Sequence, residues 1–171
     1  MHPSEVETVL ESLTLVIDTR EQDTAQLRKR IKQANLPVER KKIDYGDYTA
    51  KLTIDENDYY LDNIVVVERK MNADELATCF TRERARFKRE FERAKEAGAK
   101  TYLLVENTSW DEIIKGNYRS RMLPQAYVAS LTSWLTRYDC QIIFCSSENS
   151  GYLIRELLKR EAKYYLESLC D

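Results

Sequence analysis

The run Ile64-Val65-Val66-Val67-Glu68-Arg69-Lys70 sets four consecutive aliphatic side chains directly against a carboxylate, a guanidinium and an ammonium. A short, uninterrupted aliphatic run rich in β-branched residues describes a buried strand. Such a strand ordinarily leaves through a polar turn, whereas this one ends on three charges. Side chains two apart on a strand share a face, so Glu68 and Lys70 point one way and Arg69 the other.

The flanking sequence supplies the rest of a layered fold. LTLVI (13–17) reads as a strand, and the segment after it as a helix carrying Leu27 and Ile31 four apart, ended by Pro37. VERKKID and YTAKLTID read as strands around Tyr45-Gly46-Asp47, and the turn-rich DENDYYLDN predicts a hairpin between YTAKLTID and the 63–70 strand. The strongest helical pattern spans 73–98, with a break near Thr81 and Gly98 as its stop. A strand (100–106), a short helix (110–115), a helix from Leu123 with Pro124 in its first turn, a strand (141–145) and a helix over about 150–169 follow. Strands alternating with helices predict an α/β fold, a mixed central sheet flanked by helices on both faces.

With 171 residues, 43% hydrophobic and 33% charged, and with four Gly and three Pro, the chain is expected to be one ordered domain over 13–171 behind an extension at 1–12. MHPSEVETVLES has neither a basic nor an apolar signal region, and no long apolar run occurs, which predicts a protein neither secreted nor membrane-spanning. Cys79, Cys140, Cys145 and Cys170 lack C-x-x-C spacing, and His2 is the single histidine, so the thiols are expected to be reduced and zinc-free. A net charge of −2 neither suggests nor excludes a nucleic-acid partner.

In sheets of this type reactive groups gather where strands end at a crevice. A carboxylate beside an ammonium suits phosphodiester hydrolysis, in which hard oxygen ligands hold Mg²⁺ and a cation orients the nucleophile. Mg²⁺ takes one or two protein carboxylates, so a partner to Glu68 is required. Asp47, after the permissive Gly46, is the candidate, and Asp18 at the end of the first strand is a third. Alone, each has a bland reading: E-x-K is most often an exposed ion pair, and Asp after a strand most often a cap. Their joint occurrence carries the weight.

Taken together, DTRE (18–21), GDY (46–48) and ERKMNAD (68–74) resemble the nuclease domain of the XPF-type structure-specific endonucleases, with its G-D…E-R-K-x-x-x-D signature. The resemblance extends over about 13–166. It implies a restriction-endonuclease-like PD-(D/E)XK core and Mg²⁺- or Mn²⁺-dependent endonucleolytic cleavage of branched, flap or fork DNA in repair or recombination, leaving 5′-phosphate and 3′-hydroxyl ends. It also implies dimerisation through the nuclease domain. Asp47 and Glu68 match metal ligands and Lys70 the residue that positions or activates water. Arg69 and Asp74 match the remaining signature positions. Asp18, Arg20 and Glu21 match the motif at the rim, with Arg20 a phosphate or structural contact. Some relatives carry Gln where Glu90 stands. Relatives also append a helix-hairpin-helix module or a helicase, neither of which fits here, so a DNA-targeting partner is expected. A non-catalytic DNA-binding or scaffold subunit is the alternative, and the expected location is cytoplasm or nucleoid.

On a continuous helix, Phe80, Phe87, Phe91 and Ala94 form a core stripe, and Arg82, Arg86, Arg89 and Arg93 an opposing ridge about 16 Å long, matched to a phosphate backbone. Interspersed Glu83, Glu90, Glu92 and Glu96 would suit a merely solvated face, but the helix directly follows the candidate site, which favours DNA contact. Lys41, Lys42, Arg119 and Arg121 are further DNA-contact candidates. Apolar stripes at Tyr127, Leu131, Trp134, Leu135 and Tyr138, and from Leu153 to Leu169, serve either the core or an isologous homodimer built from the C-terminal helices.

Overall fold

The computed structural model describes residues 1–170; residue 171, the far bound of the expected domain, lies outside them. The strands are β1 (Thr14–Ile17), β2 (Val38–Arg40), β3 (Tyr48–Ile54), β4 (Asn57–Tyr60), β5 (Val65–Lys70), β6 (Lys100–Glu106) and β7 (Cys140–Cys145). The helices are α1 (Val6–Leu10), α2 (Ala25–Ala34), α3 (Ala73–Phe80), α4 (Arg84–Glu96), α5 (Trp110–Ile114), α6 (Pro124–Arg137) and α7 (Ser150–Ser168). The seven strands form one mixed sheet in the order β2-β1-β3-β5-β6-β7, with β4 on the flank of β3.

Alternation along each strand sorts the core into two layers. Leu15, Ile17, Val65, Val67 and Leu104 face α2 and α7, where they meet Leu27, Ile154 and Leu158. Leu103 and Val105 face α3, α4 and α6, where Phe80, Phe87, Phe91 and Trp134 pack edge-on and stacked. The helices thus cover both faces, as the alternation of strands and helices predicts. Val6 and Leu10 of α1 belong to the α2/α7 layer. At Gly151 of α7 an added Cβ would come 2.7 Å from the Cβ of Gln33, so the two helices cross at a contact that only glycine permits.

Two local expectations change. The hairpin joins β3 to β4, not to β5: Asp55 and Glu56 both take left-handed φ (48° and 65°), and Asn57 to Tyr60 pair back onto β3. The strand is short and polar, with Asn57 to Tyr59 exposed and only Tyr60 half-buried, which disguises it as a turn. β5 meets β3 at a single pair, Tyr48 opposite Val67, because β4 occupies the outer part of the same edge. The helical pattern over 73–98 is indeed two helices, with Thr81 ending α3 and Gly98 (φ 80°) following α4.

Candidate active site

The single β3–β5 rung creates the site. Gly46, at φ 79°, lies so close to β5 that an added Cβ would fall 2.9 Å from the Cβ of Val66. The chain there presses Asp47 between two strand ends. Its amide donates to the Val67 carbonyl at 2.9 Å and its carbonyl accepts the Asp18 amide at 2.9 Å. Its Oδ2 accepts the Arg69 amide at 2.8 Å. A loop residue is therefore fixed beside Glu68 by β1 on one side and β5 on the other.

Glu68 and Lys70 share the α3/α4 face of the sheet, with Lys70 Nζ donating to Glu68 Oε1 at 2.8 Å and lying 5.4 Å from the Phe87 ring centre. A cavity of about 280 Å³ opens over them, walled by α3, α4 and the ends of β1 and β5. Seven carboxylates line it (Asp18, Glu21, Asp47, Glu68, Glu75, Glu83 and Glu90) against three cations (Arg20, Lys70 and Arg86). Burial, then the Glu68 and Glu21 carboxylates, push the Asp47 carboxyl well above the usual carboxylate range, against the pull of Lys70 and the Arg69 amide. Burial and Glu68 likewise raise Glu90. Burial draws the Lys70 ammonium downward, but Glu68 outweighs it and the net shift is upward, so Lys70 carries its charge. Such crowding of acids is the environment a divalent cation relieves.

Among the described residues, no three His, Cys, Asp or Glu side chains converge as a ready-made metal cluster. Asp18, expected as a third ligand, has both oxygens engaged: its Oδ2 accepts from Arg20 Nε at 2.5 Å and its Oδ1 from the Ile43 amide at 2.9 Å. Both oxygens serve the loop that delivers Asp47. Asp47 and Glu68 each keep one oxygen free of any protein donor, a pair that fits an ion of the Mg²⁺ type, which retains most of its waters.

The other expected members separate. Arg69 points to the opposite sheet face and clasps Glu106 with Nε–Oε1 2.8 Å and Nη2–Oε2 2.7 Å. Asp74 does not line the cavity; its Oδ1 accepts the amides of Arg119 (2.8 Å) and Ser120 (2.7 Å), anchoring that loop from the start of α3. Arg20 and Arg86 converge on Glu90 Oε1 at 4.0 and 3.9 Å, which places Glu90 in the cavity wall. The ridge of four arginines is three: Arg82 lies in the turn between α3 and α4, while Arg86, Arg89 and Arg93 remain exposed on α4. Lys41 stacks over the Tyr60 ring at 3.5 Å. Sequence reasoning missed Glu75 and Glu83 as cavity carboxylates. It also missed Glu106, although Glu106 ends a buried strand just as Glu68 does.

The α6 stripe of Tyr127, Leu131, Trp134 and Tyr138 is spent on the molecule's own core, as are Ile154, Leu158 and Leu166 of α7. The large apolar side chains left outside include Ile114 (57% exposed), Leu123 (71%) and Tyr164 (74%). No helix among the described residues is long and apolar enough to cross a membrane.

The fold is similar to that of XPF from Aeropyrum pernix, with a TM-score of 0.61 and 18% identity over 86% of this chain and 60% of that one. It is equally similar to XPF from Aeropyrum pernix in complex with DNA, with a TM-score of 0.61 and 18% identity over 88% and 65%. The chain thus spans less than two thirds of these relatives. The mixed sheet flanked by helices is the restriction-endonuclease-like fold of these XPF nuclease domains. A search of curated proteins returns no match. The ERCC4 domain model matches residues 17–156, most of the chain and all the residues that line the cavity. This chain belongs to the ERCC4 domain family.

Proposed function

We propose that this protein is a Mg²⁺- or Mn²⁺-dependent DNA endonuclease acting on branched DNA of the flap or fork type, in repair or recombination. The observation that carries the reading is the pairing of Asp47 and Glu68 beside a charged Lys70 in a cavity of seven carboxylates. That the XPF relative of matching fold was solved with DNA adds support.

Asp47 and Glu68 would hold the ion through their free oxygens. The ion, when bound, would supply a Lewis acid for the phosphate and a water of lowered pKa. Lys70 is an ammonium held by Glu68, so it serves as a hydrogen-bond donor to a phosphate oxygen or to the attacking water and offsets developing negative charge. Asp18 positions rather than binds, fixing Arg20 at the rim through Oδ2 and the Asp47 loop through Oδ1. Arg20 and Arg86, drawn together by Glu90, stand where phosphates flanking the scissile bond would pass, and Arg89 and Arg93 extend that path along α4. A homodimer of the kind the resemblance implies would use apolar side chains left exposed, such as Ile114 and Leu123 on the outer surface of α5 and α6 or Tyr164 on α7.

A non-catalytic DNA-binding or scaffold role is the second reading. Incubating the protein with labelled flap, fork and splayed-arm DNA, with Mg²⁺, Mn²⁺ or chelator, separates the two. Metal-dependent cleavage lost in Asp47→Ala and Glu68→Ala supports the enzyme; binding without cleavage supports the scaffold; cleavage indifferent to both substitutions removes this assignment.

A further inference from the structure

Glu21 lines the front cavity beside Asp47 and Glu68, yet the proposed chemistry gives it no task. What holds it comes from behind the sheet. Arg30 of α2 has a side chain only 7% exposed and stands 4.0 Å from two carboxylates, Glu21 and Glu106. Glu106 is committed to Arg69 through both oxygens, at 2.8 and 2.7 Å. Among the described residues the Arg30 side chain makes one hydrogen bond, from Nε to the Tyr48 hydroxyl at 3.0 Å. Tyr48 opens β3, is 1% exposed and packs in the α2/α7 layer.

An arginine has no acceptor, so the Tyr48 oxygen must accept from it, and the hydroxyl proton is left to point elsewhere. Glu21 Oε2 lies 3.4 Å from that oxygen and receives the proton. Arg30 thus sets the direction of the Tyr48 hydroxyl, and hydroxyl and guanidinium together hold one oxygen of Glu21. The Glu21 backbone is fixed separately: its amide donates to the Asp18 carbonyl at 3.0 Å, and its carbonyl accepts Arg40 Nη2. The carboxylate is therefore steered from the rear face, and its Oε1 has no protein donor among the described residues. Apolar side chains of similar volume often stabilise a core as well as a buried ion pair does, so the contribution of Arg30 lies in orientation. Mg²⁺ keeps most of its waters, and carboxylates around the ligands orient them. On the reading that Asp47 and Glu68 hold such an ion, we propose that Arg30 and Tyr48 are positioning residues for the site: from the opposite face of the sheet they keep Glu21 turned to the cavity, where its free oxygen accepts a hydrogen bond from a water on the ion.

The test titrates Mn²⁺ into the full chain without DNA and reads the bound fraction from the loss of the free-ion EPR signal. Glu21→Gln keeps the shape and removes the charge, and should weaken Mn²⁺ binding by about tenfold. Tyr48→Phe keeps the buried ring and removes the hydroxyl, and should weaken it by about threefold or more. The double variant should bind no more weakly than Glu21→Gln alone, because both changes act through one carboxylate. A merely structural role would lower the melting temperature of Tyr48→Phe and leave its Mn²⁺ affinity at the parent value, which overturns the proposal. Parental affinity in Glu21→Gln, or single effects that multiply in the double variant, does the same. The Glu21 side chain is 24% exposed and tolerates change, so Glu21→Gln carries the test if Tyr48→Phe fails to fold. A parent chain that binds no Mn²⁺, or binding undiminished in Asp47→Asn, removes the ion site and this proposal with it; binding lost in Asp47→Asn but untouched by Tyr48→Phe removes this proposal alone.

Discussion

The Arg69 amide donates to Asp47 Oδ2 over 2.8 Å, so a loop carboxylate continues the hydrogen bonding that the β3 backbone drops after its one rung with β5. That relationship holds an acid against Glu68 and makes the site locally unfavourable in the absence of a cation.

Asp47→Asn should raise stability while abolishing cleavage. Because the folded state raises the Asp47 pKa, it binds the proton more tightly than the unfolded chain does. Stability attributable to this group therefore falls as pH rises from the ordinary carboxylate range through the raised folded value. At neutral pH the asparagine variant should be more stable by about 1 kcal/mol, and acidification should shrink the difference. Urea denaturation at neutral and mildly acidic pH checks both signs.

Mg²⁺ or Mn²⁺ should raise the melting temperature of the parent by mass action. Asp47→Asn and Glu68→Gln should lose the increase. Asp18→Asn should retain it, since both Asp18 oxygens are engaged by Arg20 and the Ile43 amide. Thermal melts with and without chelator read this directly, and an Asp18 variant as insensitive as the other two would make Asp18 a ligand after all.

Gly46→Ala should cost about 2 kcal/mol of stability, since it places a side chain at positive φ and within 2.9 Å of the Val66 Cβ. Cleavage should fall further than stability accounts for, because the substitution pushes Asp47 away from Glu68. Comparing activity with the folded fraction at one temperature separates the effects.

Glu106→Gln leaves the Arg69 guanidinium uncompensated in the interior and should cost about 3 kcal/mol. Burial raises the Glu106 pKa, but the Arg69 hydrogen bond and charge outweigh it and hold the group low. Its contribution is present above the ordinary carboxylate range and is lost as pH falls through the depressed folded value. Acid unfolding of the variant should lack that component.

Arg86→Ala should weaken DNA binding and lower the slope of log affinity against log salt by about one. Arg82→Ala, in the turn outside α4, should change it less. Fluorescence anisotropy at several salt concentrations measures the slopes.

Much of this architecture is legible because it follows from periodicity. The two-residue repeat places Glu68 and Lys70 together and Arg69 opposite, and Gly98 marks the end of α4. What escapes depends on contacts between distant segments. Asn57 to Tyr60 form a strand only because β3 offers an edge. Arg82 leaves the ridge because the chain turns between Phe80 and Arg84. Asp74 resembles a site carboxylate until the 119–120 loop folds onto it, and Arg30 resembles any solvated helix charge until Tyr48 and Glu106 enclose it. The convergence of Asp47 on Glu68 needs the close approach at Gly46, which the glycine permits but does not by itself announce.

The crossing of α2 and α7 at Gly151 has a consequence for biosynthesis. The layer under β1, β3 and β5 is closed by Ile154, Leu158, Ala162 and Leu166, so the earliest strands emerge from the ribosome with an open hydrophobic side. That side stays uncovered until α7 is translated. The N-terminal layer is in this sense completed late, timed by the arrival of α7.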